Sequence, residues 1–159
     1  METLIIYATK YGCTADCAAY LQGKLAGNVT LADVNKGTTP DLAEFDRVII
    51  GGSVYISKVN KKLRAFCESN AQTLAGKEVS IFLCCALVDE VKKVLAMNFP
   101  VALVEGATAI GFFGSEARLE KMGFLDRTLI KAVTKGDFSK FVISKERMDE
   151  FVAEIIRQM

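Results

Sequence analysis

Five short strand-like runs, the central ones nearly continuous in apolar residues, alternate with longer helix-patterned stretches, and this alternation constrains the fold more than any other feature of the chain. A run such as VSIFLCCALV, at 79–88, lacks the polar alternation of a half-solvated strand, so it reads as a strand buried on both faces. Strands are expected near 3–8, 29–33, 47–52, 79–85 and 108–113. Helices are expected near 14–26, 59–74, 89–97, 125–133 and 145–157. In the last of these, Met148, Phe151, Val152, Ile155 and Ile156 form one apolar stripe, and Ser144 is placed to cap it. Buried strands alternating with helices imply α/β architecture, a parallel sheet between two helix layers. The 159 residues suit a single domain over 1–159, and the apolar runs are too short to cross a bilayer.

The segment 3–21, TLIIYATKYGCTADCAAYL, adds chemistry to this frame. A strand leads into Thr9, Lys10, Tyr11, Gly12, Cys13 and Thr14, and the residues after them favour helix. The first turn of a helix carries unpaired N–H groups and partial positive charge, so loop amides and two threonine hydroxyls can surround an anionic oxygen cluster. Gly12 lets the backbone approach closely. A plain strand followed by a helix capped by Thr14 is the simpler alternative. No G-x-x-x-x-G-K-[ST] loop occurs, and neither Gly51 and Gly52 nor Gly111 and Gly114 completes a G-x-G-x-x-G, which disfavours nucleoside triphosphates and dinucleotides.

Absent residue types narrow the chemistry further. With no histidine, Ser/His/Asp and Cys/His catalysis, histidine-ligated haem and most zinc sites are excluded. With no tryptophan, a flat cofactor must stack on tyrosine, phenylalanine or aliphatic groups, with Tyr55, Phe112 and Phe113 the leading aromatics. The five cysteines show no regular spacing and no paired C-x-x-C knuckles, so a metal site is not expected and a reducing, cytoplasmic setting is. The start of the chain has no basic stretch leading into an apolar one, and no secretory signal is expected.

Ile5, Ile6, Tyr7, Thr9, Gly12, Thr14, Ala18 and Leu21 fit the N-terminal signature of flavodoxins, and the chain is identified as resembling that family. The resemblance implies a flavodoxin-like three-layer α/β/α sandwich with a five-stranded parallel sheet of order 2-1-3-4-5. It implies FMN as cofactor, its phosphate held by residues 9–14. Ligands of such sheets bind at the carboxyl ends of the strands around the switch between strands one and three. The loop after strand three, Ser53, Val54, Tyr55 and Ile56, would then cover one face of the flavin, with Tyr55 the exposed stacking residue. Cys85, Ala86 and Leu87 would border the other side, Asp89 would cap the next helix, and Phe113, Gly114 and Ser115 would close the edge.

Lys10 inside the loop, FDRVIIGGSVY at 45–55 and LDRTLIK at 125–131 resemble the subgroup that contains menaquinone-dependent protoporphyrinogen oxidases. The region 115–127 is short and mixed in charge, unlike the long basic and aromatic insertion associated with that oxidase. Carrier flavodoxins are usually acidic, whereas this chain has 20 Lys and Arg against 19 Asp and Glu. Lys58, Lys61, Lys62 and Arg64 cluster beside the Tyr55 loop and would attract an anionic partner or temper the charge of a reduced flavin, or simply be solvated. The expected function is electron transfer through an FMN ring to a protein or a small acceptor such as a quinone or tetrapyrrole. The alternatives are a flavoenzyme of the protoporphyrinogen oxidase or quinone reductase type and a flavin-free interaction module. No nucleic-acid partner and no transmembrane segment are expected. Cys84 and Cys85 point to opposite faces of a strand, so burial explains them better than a dithiol relay.

Overall fold

The structure, a computed structural model, describes residues 1–86 and 88–158. Five strands, β1 (Glu2–Ala8), β2 (Asn28–Asp33), β3 (Arg47–Ser53), β4 (Glu78–Cys84) and β5 (Ala109–Phe112), form one sheet in the order β2-β1-β3-β4-β5. Every pairing is parallel, with Ile5 beside Ile49 and Ile50 beside Ile81 across the centre. The order expected from the resemblance is the order found.

Parallel strands joined by crossover helices must be covered on both sides, and two core layers do so. Leu4, Ile6, Val48, Ile50, Ile81 and Leu83 face one layer, which Leu63, Phe66 and Leu74 complete. Ile5, Ile49, Phe82 and Cys84 face the other, with Cys17, Leu21, Phe113, Phe151 and Ile155. The period-two alternation of strand side chains is thus used on both faces. Gly51 is required by that packing: a Cβ there would lie 2.1 Å from the Phe82 ring.

The helices are α1 (Cys13–Lys24), α2 (Lys61–Ser69), α3 (Ala71–Ala75), α4 (Val91–Asn98), α5 (Val101–Glu105), α6 (Phe124–Thr134) and α7 (Lys145–Arg157). The expected single helix over 59–74 is broken in two. Asn70 donates both its N–H and its side-chain Nδ2 to Phe66 O, which ends α2 and redirects the chain so that α3 can bury Leu74. Asn60 caps α2 by accepting from Lys62 N at 2.8 Å, so the helix starts after the expected Val59. Asp89 does not cap the next helix either: it lies in a 3-10 turn over Val88–Glu90, and Glu90 precedes α4 without a side-chain cap. The short α5, entered from Pro100, is an element the periodicity did not announce.

Ser144 caps α7 as expected, accepting from Arg147 N at 3.2 Å, and Met148, Phe151, Val152 and Ile155 are buried; Ile156, at 49% exposure, is outside the stripe. Among the described residues, no helix is long and apolar enough to cross a membrane. Helix α6 differs from all the others in the sheet layers: it buries no residue, and Phe124 and Leu125 are 81% and 80% exposed.

Candidate cofactor site

The carboxyl end of β1 opens into the loop 9–12, and the loop is tied to itself. Gly12 takes a φ of 96°, open to glycine at little cost, and its N–H donates to Thr9 Oγ1 at 2.9 Å. Helix α1 consequently starts at Cys13, one residue earlier than expected, and Gly12 rather than Thr14 occupies the cap position. Thr14 lies inside the first turn, fully buried, and its Oγ1 has no hydrogen-bond partner among the described residues. Leaving a buried hydroxyl unpaired costs about 1–3 kcal/mol. That cost falls beside the unpaired N–H groups of a helix start, where an anion would relieve it.

An anion from the protein itself lies at this loop. Lys10 Nζ sits 2.5 Å from Asp126 Oδ2, the Tyr11 hydroxyl donates to the same oxygen, and the Tyr55 hydroxyl reaches Asp126 Oδ1 at 3.4 Å. Lys10 Nζ is also 5.4 Å from the ring centres of both tyrosines. The hydrogen bonds from Lys10 and then Tyr11 hold the Asp126 carboxyl below the usual range, and Asp126 in turn raises Lys10. Burial first, then Asp126, raises Tyr11 and Tyr55. A second cation closes the loop from above: Arg118 donates to Tyr11 O at 3.2 Å and pairs with Asp16 at 2.5 Å and Glu116 at 2.8 Å. Its Nη1 lies 2.7 Å from where a Cβ on Gly12 would be, so a larger residue at 12 would collide with the guanidinium.

The loop after β3 forms one wall of a cleft. Tyr55 and Lys58 exchange backbone hydrogen bonds at 2.9 and 3.1 Å across a two-residue reversal, with φ of 48° at Ile56 and 60° at Ser57. Positive φ at both central residues is the geometry normally given to Asn-Gly, so a β-branched residue there is strained. Asn98 fixes this reversal from below: its Oδ1 accepts from Val59 N at 2.8 Å, and its Nδ2 donates to Ser57 O at 2.9 Å. Tyr55 is half-buried rather than exposed.

Val54, Tyr55 and Ile56 face Cys85 and Ala86 across an apolar cavity of about 330 Å3, which Leu129, Ile130 and Val133 of α6 roof. Thr9, Lys10 and Ser53 line an adjoining recess of about 490 Å3 with Tyr55 and Ile56; of the cations at 58–64, Lys58 alone lines it. Leu87, also expected at the site, lies outside the described residues. Ser115 lines the cleft, whereas Phe112 and Phe113 do not. Phe113 is fully buried and stacked on Phe82 at 5.1 Å, and Phe112 packs at the margin of the first core layer.

Cys13 turns its thiol away from this anion loop into the second core layer, where it meets Cys17 and Cys84. Cys84 Sγ lies 3.7 Å from Cys17 Sγ. Hydrogen bonds from Cys17 and Cys84 lower Cys13, while the same contact with Cys13 raises Cys17 and Cys84. Asp126, Arg118 and Asn98 were not found by sequence reasoning. Asp126 and Arg118 reach the loop across 115 and 107 residues of sequence, and nothing local distinguishes them from solvated charges.

A model of the flavodoxin domain family matches residues 4–141. The chain belongs to the flavodoxin domain family. Protoporphyrinogen IX dehydrogenase [quinone] of Escherichia coli strain K12 is 30% identical over 77 residues, a match spanning 46% of this chain and 42% of that protein. The fold is similar to that of oxidised flavodoxin 1 from Bacillus cereus, with a TM-score of 0.60 at 13% identity over 100% of this chain and 99% of that one. It is also similar to the flavodoxin of Streptococcus pneumoniae TIGR4, with a TM-score of 0.58 at 19% identity over the whole of both chains. Membership of the flavodoxin domain family makes this an FMN-binding redox protein. Its residues suit that cofactor: a cationic loop with an orphaned hydroxyl for a phosphate, and an apolar cleft at the strand ends for a flat ring.

Proposed function

We propose that the loop 9–14 holds the FMN phosphate, that the cleft between Tyr55 and Ala86 holds its ring, and that electrons pass to a small apolar acceptor of the quinone or tetrapyrrole class. The observation that carries the placement is Asp126 at Lys10 and Tyr11, a carboxylate received where the loop would receive a phosphate. In this reading Thr9 keeps the loop closed, Lys10 and Tyr11 contact the anion, Gly12 allows close approach, Cys13 contributes its backbone at the helix start, and Thr14 offers its unpaired hydroxyl. Ser53 lines the recess beside the loop, while Val54, Tyr55, Ile56, Cys85 and Ala86, with Leu87, flank the ring and exclude water from it. FMN supplies the electron-accepting and electron-donating chemistry when bound; the protein supplies binding, orientation and surroundings.

The apolar roof of the cleft and the near-neutral charge of the chain favour a small acceptor over a protein that docks on an acidic face. The partial likeness to a quinone-linked dehydrogenase agrees with this reading. A reducing cytoplasmic setting suits five buried cysteines. The decisive experiment is anaerobic: protein as isolated should be yellow and release FMN on acid treatment. After chemical reduction, a water-soluble quinone should reoxidise it faster than candidate carrier proteins do. Colourless protein that refuses added FMN would overturn the cofactor placement, and faster reoxidation by a carrier protein would overturn the choice of acceptor.

A further inference from the structure

We propose that Cys13, Cys17 and Cys84 form a binding site for a soft monovalent metal ion, Cu(I), directly behind the loop that holds the anion. Their three sulfur atoms all lie within 4.8 Å of one another, and all three residues are buried. With metal–sulfur bonds of about 2.3 Å, the sulfur–sulfur edges are about 4.0 Å in a trigonal site and about 3.8 Å in a tetrahedral one. The Cys17–Cys84 separation of 3.7 Å already meets that demand, and the remaining edges need only a sub-ångström contraction.

The arrangement has a structural cause. Cys13 and Cys17 are four residues apart on α1 and therefore share one face of the helix, and Cys84 ends β4 directly beneath them. Cys67 shows what a packing cysteine looks like in this fold: it is fully buried in the opposite core layer, among Leu63, Phe66 and Leu74. The metal has a way in. A cavity of about 160 Å3 is lined by Cys13, Cys17 and Met148 together with Asp16, Glu116 and Arg118, so an entering cation passes two carboxylates paired with a guanidinium and then meets two thiols and a thioether. Zn2+ would require a fourth ligand; no histidine exists to supply it, and the carboxylates that line the cavity, Asp16 and Glu116, are both engaged by Arg118. Soft thiolate and thioether ligands favour Cu(I), Zn2+ and iron–sulfur clusters, and of these a three-sulfur site with no fourth ligand to hand suits Cu(I). Binding displaces the thiol protons to solvent, and the start of α1 and Arg118 offset the negative charge left on sulfur.

The site does not depend on the placement of FMN, and its test has a separate readout. Protein as isolated should be titrated anaerobically against a chromogenic Cu(I) chelator. One equivalent of Cu(I) per chain should pass to the protein, and Cu-edge X-ray absorption should show sulfur-only coordination. C17S and C84S should each weaken retention at least a hundredfold, while C67S should match the parent. The spectroscopic measurement on the parent stands even where a core variant fails to fold. Failure to withdraw Cu(I), nitrogen or oxygen ligands at the copper, equal loss in C67S, or retention of Zn2+ in preference to Cu(I) would each overturn the site.

Discussion

At the scale of single residues, the loop of this flavodoxin-domain protein holds two opposite electrostatic defects: a hydroxyl with nothing to bond and a carboxylate that bonds too readily. Thr14 Oγ1 is buried without a partner among the described residues, so Thr14→Val breaks no hydrogen bond within the fold. The variant should melt at or slightly above the parent temperature, yet bind FMN about tenfold to a hundredfold more weakly, the equivalent of roughly 1.5–3 kcal/mol for a hydrogen bond to a charged group. Riboflavin, which lacks the phosphate, should bind parent and variant alike; equal losses for both flavins in a fluorescence-quenching titration would remove Thr14 from the phosphate site.

Asp126 should act in the other direction. Asp126→Asn keeps the shape and removes the charge that competes for Lys10 and Tyr11, so FMN should bind more tightly, and Lys10→Gln should bind it more weakly by an amount that shrinks as salt is added. The same carboxyl titrates. Its folded pKa lies below its ordinary value of 3.8, so its contribution to stability is present above about that pH and is lost as the pH falls through the depressed value. The melting temperatures of parent and Asp126→Asn should therefore differ at pH 7 and converge in acid, whereas a constant difference would deny the ion pair its role.

At the scale of elements, the reversal at Tyr55–Lys58 and the helix α6 set how the cleft opens. Ser57 holds φ at 60°, and the contact of its hydroxyl with Glu90, at 3.4 Å, is weak and exposed. Ser57→Gly should raise the thermal unfolding midpoint, by up to about 1 kcal/mol of stability, because glycine takes left-handed backbone without the cost a Cβ brings. A lower midpoint would mean that the hydroxyl matters more than the backbone. The elements themselves were largely legible. Continuous apolar runs marked the central strands β1, β3 and β4, because burial on two faces leaves no room for polar alternation, whereas the edge strand β2, NVTLAD, buries no residue. The break at Asn70 was hidden because its cause is a side chain turning back on Phe66 O, and the propensities of 59–74 are helical throughout. Likewise α5, entered from Pro100, is too short to express a period.

At the scale of the whole molecule, the signature at 5–21 led to the sheet order and to the position of the anion loop, because a helix start after a buried strand is a local arrangement. The partners that complete the site were illegible: Asp126 and Arg118 arrive from beyond β5, and only the assembled fold brings them to residues 10–12. Because FMN binds the folded chain alone, saturation should raise global stability by about 2.7 kcal/mol at a hundred times its dissociation constant. Differential scanning fluorimetry with FMN and riboflavin at matched concentrations would test this, and a shift no larger for FMN would show that the phosphate contributes nothing to it.

The Phe82 ring lies over Gly51 so closely that a single methyl group on that strand would have to share its volume. Substitutions at these two positions are therefore ordered in time. Phe82 must shrink before residue 51 can grow, and each intermediate along the opposite route is a clash in the middle of the sheet. Any lineage or library that retains the large ring should hold glycine at 51 as an inherited condition, whatever becomes of the cofactor site a few residues further along the same strand.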